Sequence, residues 1–262
     1  MAGGNGLMAF RGRSSRGMAF CVGLGAAAGL VALWEIASRS GFANARFLPP
    51  PSAVVAAGYE MAAHQKLFWH AWISTLRVWA AFLLAAVMAI PIGMLMSSYR
   101  IIGASLEPTI DFIRYLPVPA LVPLSIIWFG IGESTKIFLL WLGTFFQLVL
   151  MVADSTRRVP VEYVETALTL GARPRSILTD VSFRAMLPEL VDSLRITLGW
   201  CWTYLIIAEI VAADSGLGFM IWTARRYVKT PEVMAGVVVI GIIGLLTDQL
   251  LRIAHRRWFK YL

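Results

Sequence analysis

Residues 154–188, DSTRRVPVEYVETALTLGARPRSILTDVSFRAMLP, form a polar interruption in a chain that is otherwise almost continuously apolar. This stretch carries five arginines and four acids. Charges at this density do not lie in hydrocarbon, because the bilayer core has no water to hydrate them. We therefore predict that these residues form a loop outside the membrane, between two apolar segments that cross it.

The composition points to a membrane protein. Hydrophobic residues make up 58% of the 262 residues and charged residues only 15%, whereas about a quarter of a soluble domain is charged. The length suits a single transmembrane domain, residues 18–262, after a short tail at 1–17. The net charge of +8 does not indicate nucleic-acid binding, because the basic residues flank apolar runs and form no basic face.

Six segments are long and apolar enough to cross about 30 Å of hydrocarbon as helices. We predict an all-α integral membrane protein with spans near 18–38, 75–98, 108–130, 134–154, 189–212 and 233–253. The first span follows a basic stretch, so a cleaved signal peptide is an alternative. Its apolar run of about 20 residues exceeds the usual 7–15 of a signal core, which favours an uncleaved span.

The distribution of positive charge predicts the orientation, because Lys and Arg accumulate on the cytoplasmic side. With the N-terminus inside, the cytoplasmic segments carry thirteen basic residues: Arg11, Arg13, Arg16, Arg100, Arg157, Arg158, Arg173, Arg175, Arg184, Arg252, Arg256, Arg257 and Lys260. The external segments carry seven: Arg39, Arg46, Lys66, Lys136, Arg225, Arg226 and Lys229. Both termini and the loop at 155–187 are therefore expected in the cytoplasm.

Prolines disturb the third span. Pro117, Pro119 and Pro123 each remove a backbone donor and clash with the preceding turn. Broken backbone at membrane depth is tolerated where it is buried in protein or lines a cavity, so this segment is a candidate for the wall of a pathway. The alternative is a helix that starts after Pro119, with residues 111–119 as a surface connection. The sequence does not decide between the two.

The predicted external segments have their own patterns. Residues 47–52, FLPPPS, are too rich in proline for a helix and are expected to be extended. Residues 53–70 have the pattern of a short amphipathic helix at the membrane interface. Between spans five and six, residues 214–218 are typical of a turn, and a short helix is expected around 219–227. These segments are connectors, or the surface that an external partner meets.

The polar loop has an internal order. Residues 166–170 favour a helix, which Gly171 ends, and Pro174 suits the first turn of a second short helix over 175–179. Two short helices joined by a glycine hinge would make a compact knob on the inner face. The alternative is a purely structural role, as an interfacial anchor whose arginines contact anionic lipid.

The order of residues in this loop resembles the "EAA" loop of the membrane subunits of ATP-binding-cassette (ABC) importers. Its elements are Glu165-Thr166-Ala167 followed by Gly171. From about residue 45 onward, the chain is similar to the nitrate/sulfonate/taurine-type permeases. The segments that carry this similarity are FLPPPSAV at 47–54, IPIG at 90–93, LEPTIDFIRYLPVPALVPLSIIWFGIGESTKI at 106–137, ETALTLGA at 165–172 and SGLGFMIW at 215–222. One departure is that Val181-Ser182-Phe183-Arg184 stands where the family commonly has Ile-x-Leu-Pro.

The resemblance implies a type I importer permease in the bacterial inner membrane. It implies a homodimer, two ABC ATPase subunits that use ATP and Mg on the cytoplasmic side, an external solute-binding protein and a small anion as substrate. The ATPase-coupling residues are then Glu165, Ala167, Gly171, Ala172, Arg173, Pro174 and Arg175. The candidate pathway residues are Arg114, Pro117, Pro119, Gln147, Arg195 and Glu209, although Arg114 and Arg195 could equally pair with Asp111, Asp192 or Glu209.

Other functional classes have weaker support in the sequence. The chain has no GxxxxGK[ST] phosphate-binding motif, so we expect it to bind no cofactor and to hydrolyse no ATP itself. His64, His70 and His255 are expected at loop or terminal positions without catalytic partners, which argues against an enzyme. A secondary transporter driven by an ion gradient would need acids deep within spans, where Glu209 stands alone. Cys21 and Cys201 are expected to be buried small hydrophobes.

Overall fold

The computed structural model describes residues 16–41, 44, 46–211 and 214–259, and this part of the chain is helical throughout its regular structure. Residues 1–15 of the predicted inner tail and Lys260 lie outside the described residues. The α-helices are α1 (Arg16–Arg39), α2 (Pro51–His64), α3 (Leu67–Ser98), α4 (Arg100–Ile113), α5 (Val122–Phe129), α6 (Glu133–Arg157), α7 (Val161–Thr169), α8 (Pro174–Ser176), α9 (Phe183–Val211), α10 (Leu217–Arg226) and α11 (Thr230–Trp258).

Five helical segments of the described chain are long and apolar enough to cross a membrane: Phe20–Arg39, Leu67–Ser98, Glu133–Arg157, Pro174–Ile210 and Thr230–Trp258. A sixth crossing is made if α4 and the segment Val118–Phe129 count as one span. This pair is bent by 89°. The prediction of about six spans is therefore confirmed, and the third of them is a broken one.

The break in the third span lies between Ile113 and Val118. The chain turns there through Pro117, which has an extended backbone, and continues as a 3₁₀ turn over Val118–Leu121 before α5 starts. Asp111 lies in α4, so the alternative of a surface connection over 111–119 starts too early in the chain. Pro117 and Pro119 explain why the helix stops, because neither can donate the backbone hydrogen bond that would continue it.

Two predicted boundaries in the segments before and after α2 are wrong. The helix predicted over 53–70 ends at His64, and Phe68 to His70 already belong to the first turn of α3. Lys66 lies between α2 and α3 and has a left-handed backbone, with φ of +53°. The sequence does not predict this turn, because residues with positive φ are usually glycines and this one is a lysine. The stretch 47–52 is extended only in part, because Pro51 and Ser52 open α2, where a proline fits the first turn.

The second short helix of the polar loop does not end at 179. The chain runs from Pro174 through α8 and a π-helical segment, Ile177–Ser182, directly into α9. Pro188 lies inside α9 and does not end it. The fifth span is thus longer than predicted. The helix at the other connection, predicted over 219–227, is confirmed as α10 and begins two residues earlier.

Two clusters of buried side chains hold α3, α6 and α9 together. One lies toward the start of α3 and contains Val78, Leu205 and Leu217, with contributions from α10 and α11. The other lies toward the end of α3 and contains Met96 and Leu148. Helices α3 and α6 approach so closely there that a Cβ on Gly93 would lie 2.6 Å from the carbonyl oxygen of Val149.

Helix α1 packs against this core through Trp34, although no residue of its apolar 18-residue window is buried. Its C-terminal end is tied to α2 and to the segment before α2, where the Ser38 hydroxyl donates to the Leu48 carbonyl at 2.6 Å and the Glu35 carboxylate accepts the Ser52 backbone N–H at 3.1 Å. Cys21 is consequently exposed, against our expectation, whereas Cys201 is buried. A helix so exposed requires lipid or another protein surface around it.

Candidate transport site

The polar loop forms a knob, defined as residues 161–176, at the end of α3 and α6. No residue of α7 is buried. The exposed residues include apolar ones, and Tyr163, Leu168 and Leu170 are 55%, 55% and 82% exposed. An exposed apolar surface among polar residues is typical of a protein contact. Of the predicted coupling residues, Ala167 and Ala172 are half-buried, and the other five are exposed: Glu165, Gly171, Arg173, Pro174 and Arg175.

Gly171 ends α7 in the left-handed conformation, with φ of +78°. Its N–H donates to the Leu168 carbonyl at 2.9 Å, and the Ala172 N–H donates to the Ala167 carbonyl at 2.9 Å. These two bonds form a Schellman motif, in which the residue after the C-cap is usually glycine. The predicted glycine hinge therefore has the positive φ that the sequence pattern required.

A groove of about 290 Å³ lies between the knob and the body of the chain. Its walls include Ser98 and Tyr99 at the end of α3, Thr156 near the end of α6, and Leu168 and Leu178 from the loop. The knob thus faces the ends of α3 and α6 across the groove, and the π-helical segment Ile177–Ser182 connects it to α9.

A cavity of about 240 Å³ lies beside the break in the third span. Arg114 and Gln147, both predicted pathway residues, line it together with Leu116, Val118, Leu121, Phe146, Trp200, Thr203 and Tyr204. The guanidinium of Arg114 lies 3.0 Å from the Asp111 carboxylate and donates to the amide oxygen of Gln147 at 3.4 Å. The cavity is therefore mostly apolar, with one cation at its wall.

Four other predicted pathway residues lie elsewhere. Pro117 and Pro119 shape the bend on either side of Val118 but do not line the cavity. Arg195 is paired with Asp192 and Asp248, both at 2.9 Å, and so ties α9 to α11. Glu209 is fully buried and forms part of a separate ion-pair network.

This network centres on Arg77, which is 3% exposed. Its guanidinium donates to Glu209 at 2.7 Å and to both carboxylate oxygens of Glu133 at 2.7 and 2.6 Å. Lys136, also buried, lies 2.8 Å from Glu133. One arginine of α3 is thus bonded to α6 and α9 at once. We call these four side chains the Arg77 network.

The same network holds the start of α10. Arg77 donates to the carbonyl oxygen and the hydroxyl of Ser215, at 2.7 and 2.9 Å. Glu209 accepts the backbone N–H of Gly218 at 2.8 Å. A carboxylate is favourable at this position because the first turn of a helix has unpaired N–H groups and a positive end. Gly216 has φ of +112°, and a Cβ on it would clash with the Glu209 carboxylate.

Two further side chains of α3 complete this attachment. The Ser74 hydroxyl accepts the Leu217 N–H at 2.8 Å, and His70 Nδ1 accepts the Gly216 N–H at 2.9 Å. His70 therefore lies in the first turn of α3, which corrects our expectation of a loop or terminal position, and its partner is a backbone N–H. Just outside the spans, the Asp214 carboxyl is held ionised, because hydrogen bonds from its own backbone N–H and Ser215 lower its pKa.

Sequence analysis singled out Glu209 from this network but missed its partner Arg77, and it also missed Glu133 and Lys136, which extend the network from Arg77. The available signal was the pair of charges inside apolar segments, since an ionisable residue within a span normally has a partner there. Glu209 and Arg77 are 132 positions apart. Nothing local in the sequence pairs them.

Comparison with known proteins identifies the family. Residues 81–260 match the binding-protein-dependent transport system inner membrane component family. The chain is 34% identical to the taurine transport system permease protein TauC of Escherichia coli over 239 residues, covering 89% of this chain and 87% of TauC. It is 33% identical to the aliphatic sulfonates transport permease protein SsuC of Bacillus subtilis over 232 residues, covering 88% and 84%.

Among solved structures, an inward-facing MetNI methionine ABC transporter matches 76% of this chain and 96% of the matched chain, with a TM-score of 0.65 and 20% identity. This likeness concerns the fold. With its apolar helices, the family match places the chain in the inner membrane as a multi-pass protein. The chain belongs to the binding-protein-dependent inner membrane components, the permease subunits of ABC importers, in their nitrate/sulfonate/taurine-type branch.

Proposed function

We propose that this chain is the permease subunit of an importer that moves a small anion, such as a sulfonate, taurine or nitrate, into the cell. It acts as a homodimer with two separate ATPase subunits on its cytoplasmic side and an external binding protein. ATP and Mg are bound by the ATPase subunits. The permease converts the closure of the ATPase pair into movement of its spans.

The exposed knob is the observation that carries this proposal. Helix α7 has no buried residue, and its apolar side chains remain uncovered in the single chain. The knob also faces the ends of α3 and α6 across the groove, and it continues through Ile177–Ser182 directly into α9. An ATPase that binds the knob can therefore move these helices.

The cavity beside the third span supports the choice of an anion. Arg114, which is ion-paired with Asp111 at 3.0 Å, places a cation at its wall beside the polar Gln147 and Thr203, and most of the remaining lining is aromatic or aliphatic. A small sulfonate has the matching chemistry, an anionic oxygen group on a short apolar part. The relatives TauC and SsuC are taurine and sulfonate permeases by name, which supports the same class.

Reconstitution tests the function. The chain is placed in vesicles with its ATPase, and the purified external binding protein is added on the opposite face. We expect ATP-dependent uptake of taurine, ethanesulfonate or nitrate, and no uptake of choline, a small organic cation. Uptake without any ATPase, driven by an ion gradient alone, contradicts the proposal and identifies a secondary transporter.

A further inference from the structure

The cavity beside the third span has one wall at which two helices come into direct contact. Gly143 of α6 and Tyr204 of α9 both line the cavity, and the tyrosine ring lies against the glycine. A Cβ on Gly143 would lie 2.5 Å from Cδ2, 2.8 Å from Cε2 and 2.9 Å from Cγ of Tyr204. Carbon atoms in contact are about 3.5–4.0 Å apart, so any other residue at position 143 must displace the ring.

Space is the reason for a glycine at this position. Gly143 lies inside α6, where glycine weakens a helix relative to alanine. Gly93 and Gly236 make similarly close contacts, but their neighbours Val149 and Ile221 are buried core residues, and neither glycine lines this cavity. Of these three glycines, Gly143 is therefore the one at which an added methyl group changes the shape of the cavity.

The displaced ring has one direction in which to move. Tyr204 is half-buried and packs against the core cluster that contains Val78 and Leu205, while Gly143 blocks the side toward α6. Turning the ring about its own axis does not relieve the contact, because Cγ stays in place during that rotation. The whole ring must shift, and its open side faces the cavity. A methyl group at position 143 thus narrows the cavity.

The cavity has a polar part and a larger apolar part. Arg114 and Gln147 form the polar part together with Thr203. The apolar part is formed by Ile113, Leu116, Val118, Leu121, Leu142, Phe146, Trp200 and the ring of Tyr204. A guanidinium attracts small anions of any kind, so the lining discriminates between anions through their apolar parts. One methylene group in an apolar site changes relative rates by about tenfold or more.

Resting on the proposed function above, we propose that the contact between Gly143 and Tyr204 sets the upper size limit for the organic part of the transported anion. The anionic group lies toward Arg114, and the organic chain packs against the Tyr204 ring. Tyr204 is the residue that touches the substrate. Gly143 is a positioning residue, which acts by letting the ring lie back against α6.

Uptake of two sulfonates of different length tests this proposal. The unmodified complex and each variant are reconstituted with the ATPase and the same external binding protein. The two substrates are the shortest and the longest alkanesulfonate that the purified binding protein binds, each supplied at a saturating concentration. The preference of the binding protein then cancels when the uptake ratio of long to short sulfonate is compared between permease variants.

We expect Gly143→Ala to lower this ratio about tenfold, because the displaced ring excludes the longer chain. The double variant Gly143→Ala/Tyr204→Leu should restore the ratio, since the ring that the methyl group displaces is then absent. Such non-additivity is expected of residues in contact. An unchanged ratio in Gly143→Ala overturns the proposal. An equal loss for both sulfonates also overturns it, because the contact then serves only the packing of α6 on α9.

Gly236→Ala is the matched control. A Cβ there would lie 2.6 Å from Cγ1 of Ile221, in the contact between α10 and α11. The substitution is the same and the steric conflict is similar, but Ile221 does not line the cavity. We expect total uptake to change with no change in the ratio. A fall in the ratio equal to that of Gly143→Ala shows that selectivity responds to packing in general, which overturns the proposal.

Tyr204→Leu tests the same idea if Gly143→Ala does not assemble. The smaller side chain widens the cavity, so the ratio of long to short sulfonate should rise several-fold, and an unchanged or lower ratio overturns the proposal. The unmodified complex separates this outcome from failure of the proposed function. If the unmodified complex takes up no anion, the proposed function fails. If it takes up both sulfonates and every variant keeps its ratio, the size limit alone fails.

Discussion

At Gly171 the backbone turns out of α7 with φ of +78°, and a Cβ there would meet no atom of the chain within 4 Å. The requirement for glycine is therefore one of backbone conformation, not of space within this subunit. Asparagine enters the left-handed region at moderate cost, whereas a β-branched residue does so rarely. Substituting Gly171 by asparagine and by valine therefore distinguishes the effect of the turn's backbone conformation from the effect of adding a side chain.

We predict that Gly171→Val releases the ATPase subunits and that Gly171→Asn retains most of them. The valine disfavours the left-handed turn by roughly 1–2 kcal/mol and so displaces Arg173 and Pro174, which follow it. Co-purification of the ATPase with each variant measures the effect, and normal insertion of the permease is the control. Equal retention by both variants shows that the turn does not position the contact.

Arg114 supports a second prediction at this scale. Arg114→Glu should abolish uptake while the complex stays assembled, because the cavity wall would then carry an acid in place of its cation, next to Asp111, which would lose its partner. Arg114→Lys should retain part of the uptake, since it keeps the charge but loses the planar fork. Transport assays in vesicles decide this. Normal uptake by the Glu variant makes Arg114 a structural residue.

Among the elements, α3, α6, α9 and α10 are joined by the Arg77 network. Removing one partner of a buried ion pair leaves an unpaired buried charge, which costs about 3–5 kcal/mol. A pair that is partly exposed contributes about 0–1 kcal/mol. The chain contains both kinds, because Arg77 is 3% exposed and the Arg195 side chain is 23% exposed.

We therefore expect Arg77→Met to lower the thermal stability of the purified permease far more than Arg195→Met does. Glu209, which is fully buried, would be left without its cation in the first variant, whereas Asp192 and Asp248 remain hydrated in the second. Melting curves in detergent provide the comparison. Similar losses in the two variants would mean that the network does not hold the four helices together.

The sequence predicts the helical spans and the knob because both have local signals. Apolar runs mark the spans, and Gly171 and Pro174 mark the ends of short helices. The continuity of the chain from Pro174 into α9 was missed, since a proline inside a helix reads as its boundary. The turn at Lys66 was missed because it uses a left-handed lysine. The Arg77 network depends on contacts between residues far apart in the chain.

For the whole molecule, the exposed knob and the exposed α1 indicate a subunit that is incomplete alone. We predict that the purified chain hydrolyses no ATP and that vesicles containing it accumulate no solute until the ATPase is added. The sequence has no phosphate-binding loop that could hold a nucleotide. A phosphate-release assay tests hydrolysis, with the reconstituted complex as the positive control. ATP turnover by the chain alone contradicts this prediction.

The contact between Glu209 and the glycines at the start of α10 has a consequence for how such a chain can evolve. Gly216 cannot gain a methyl group without meeting the Glu209 carboxylate, and a Cβ on Gly218 would lie 2.7 Å from the Cβ of Glu209. Substitutions at these three positions are thus coupled. Shortening the acid at 209 to aspartate would give up the reach to Arg77 and still not admit alanine at 218, because aspartate keeps the Cβ that blocks it.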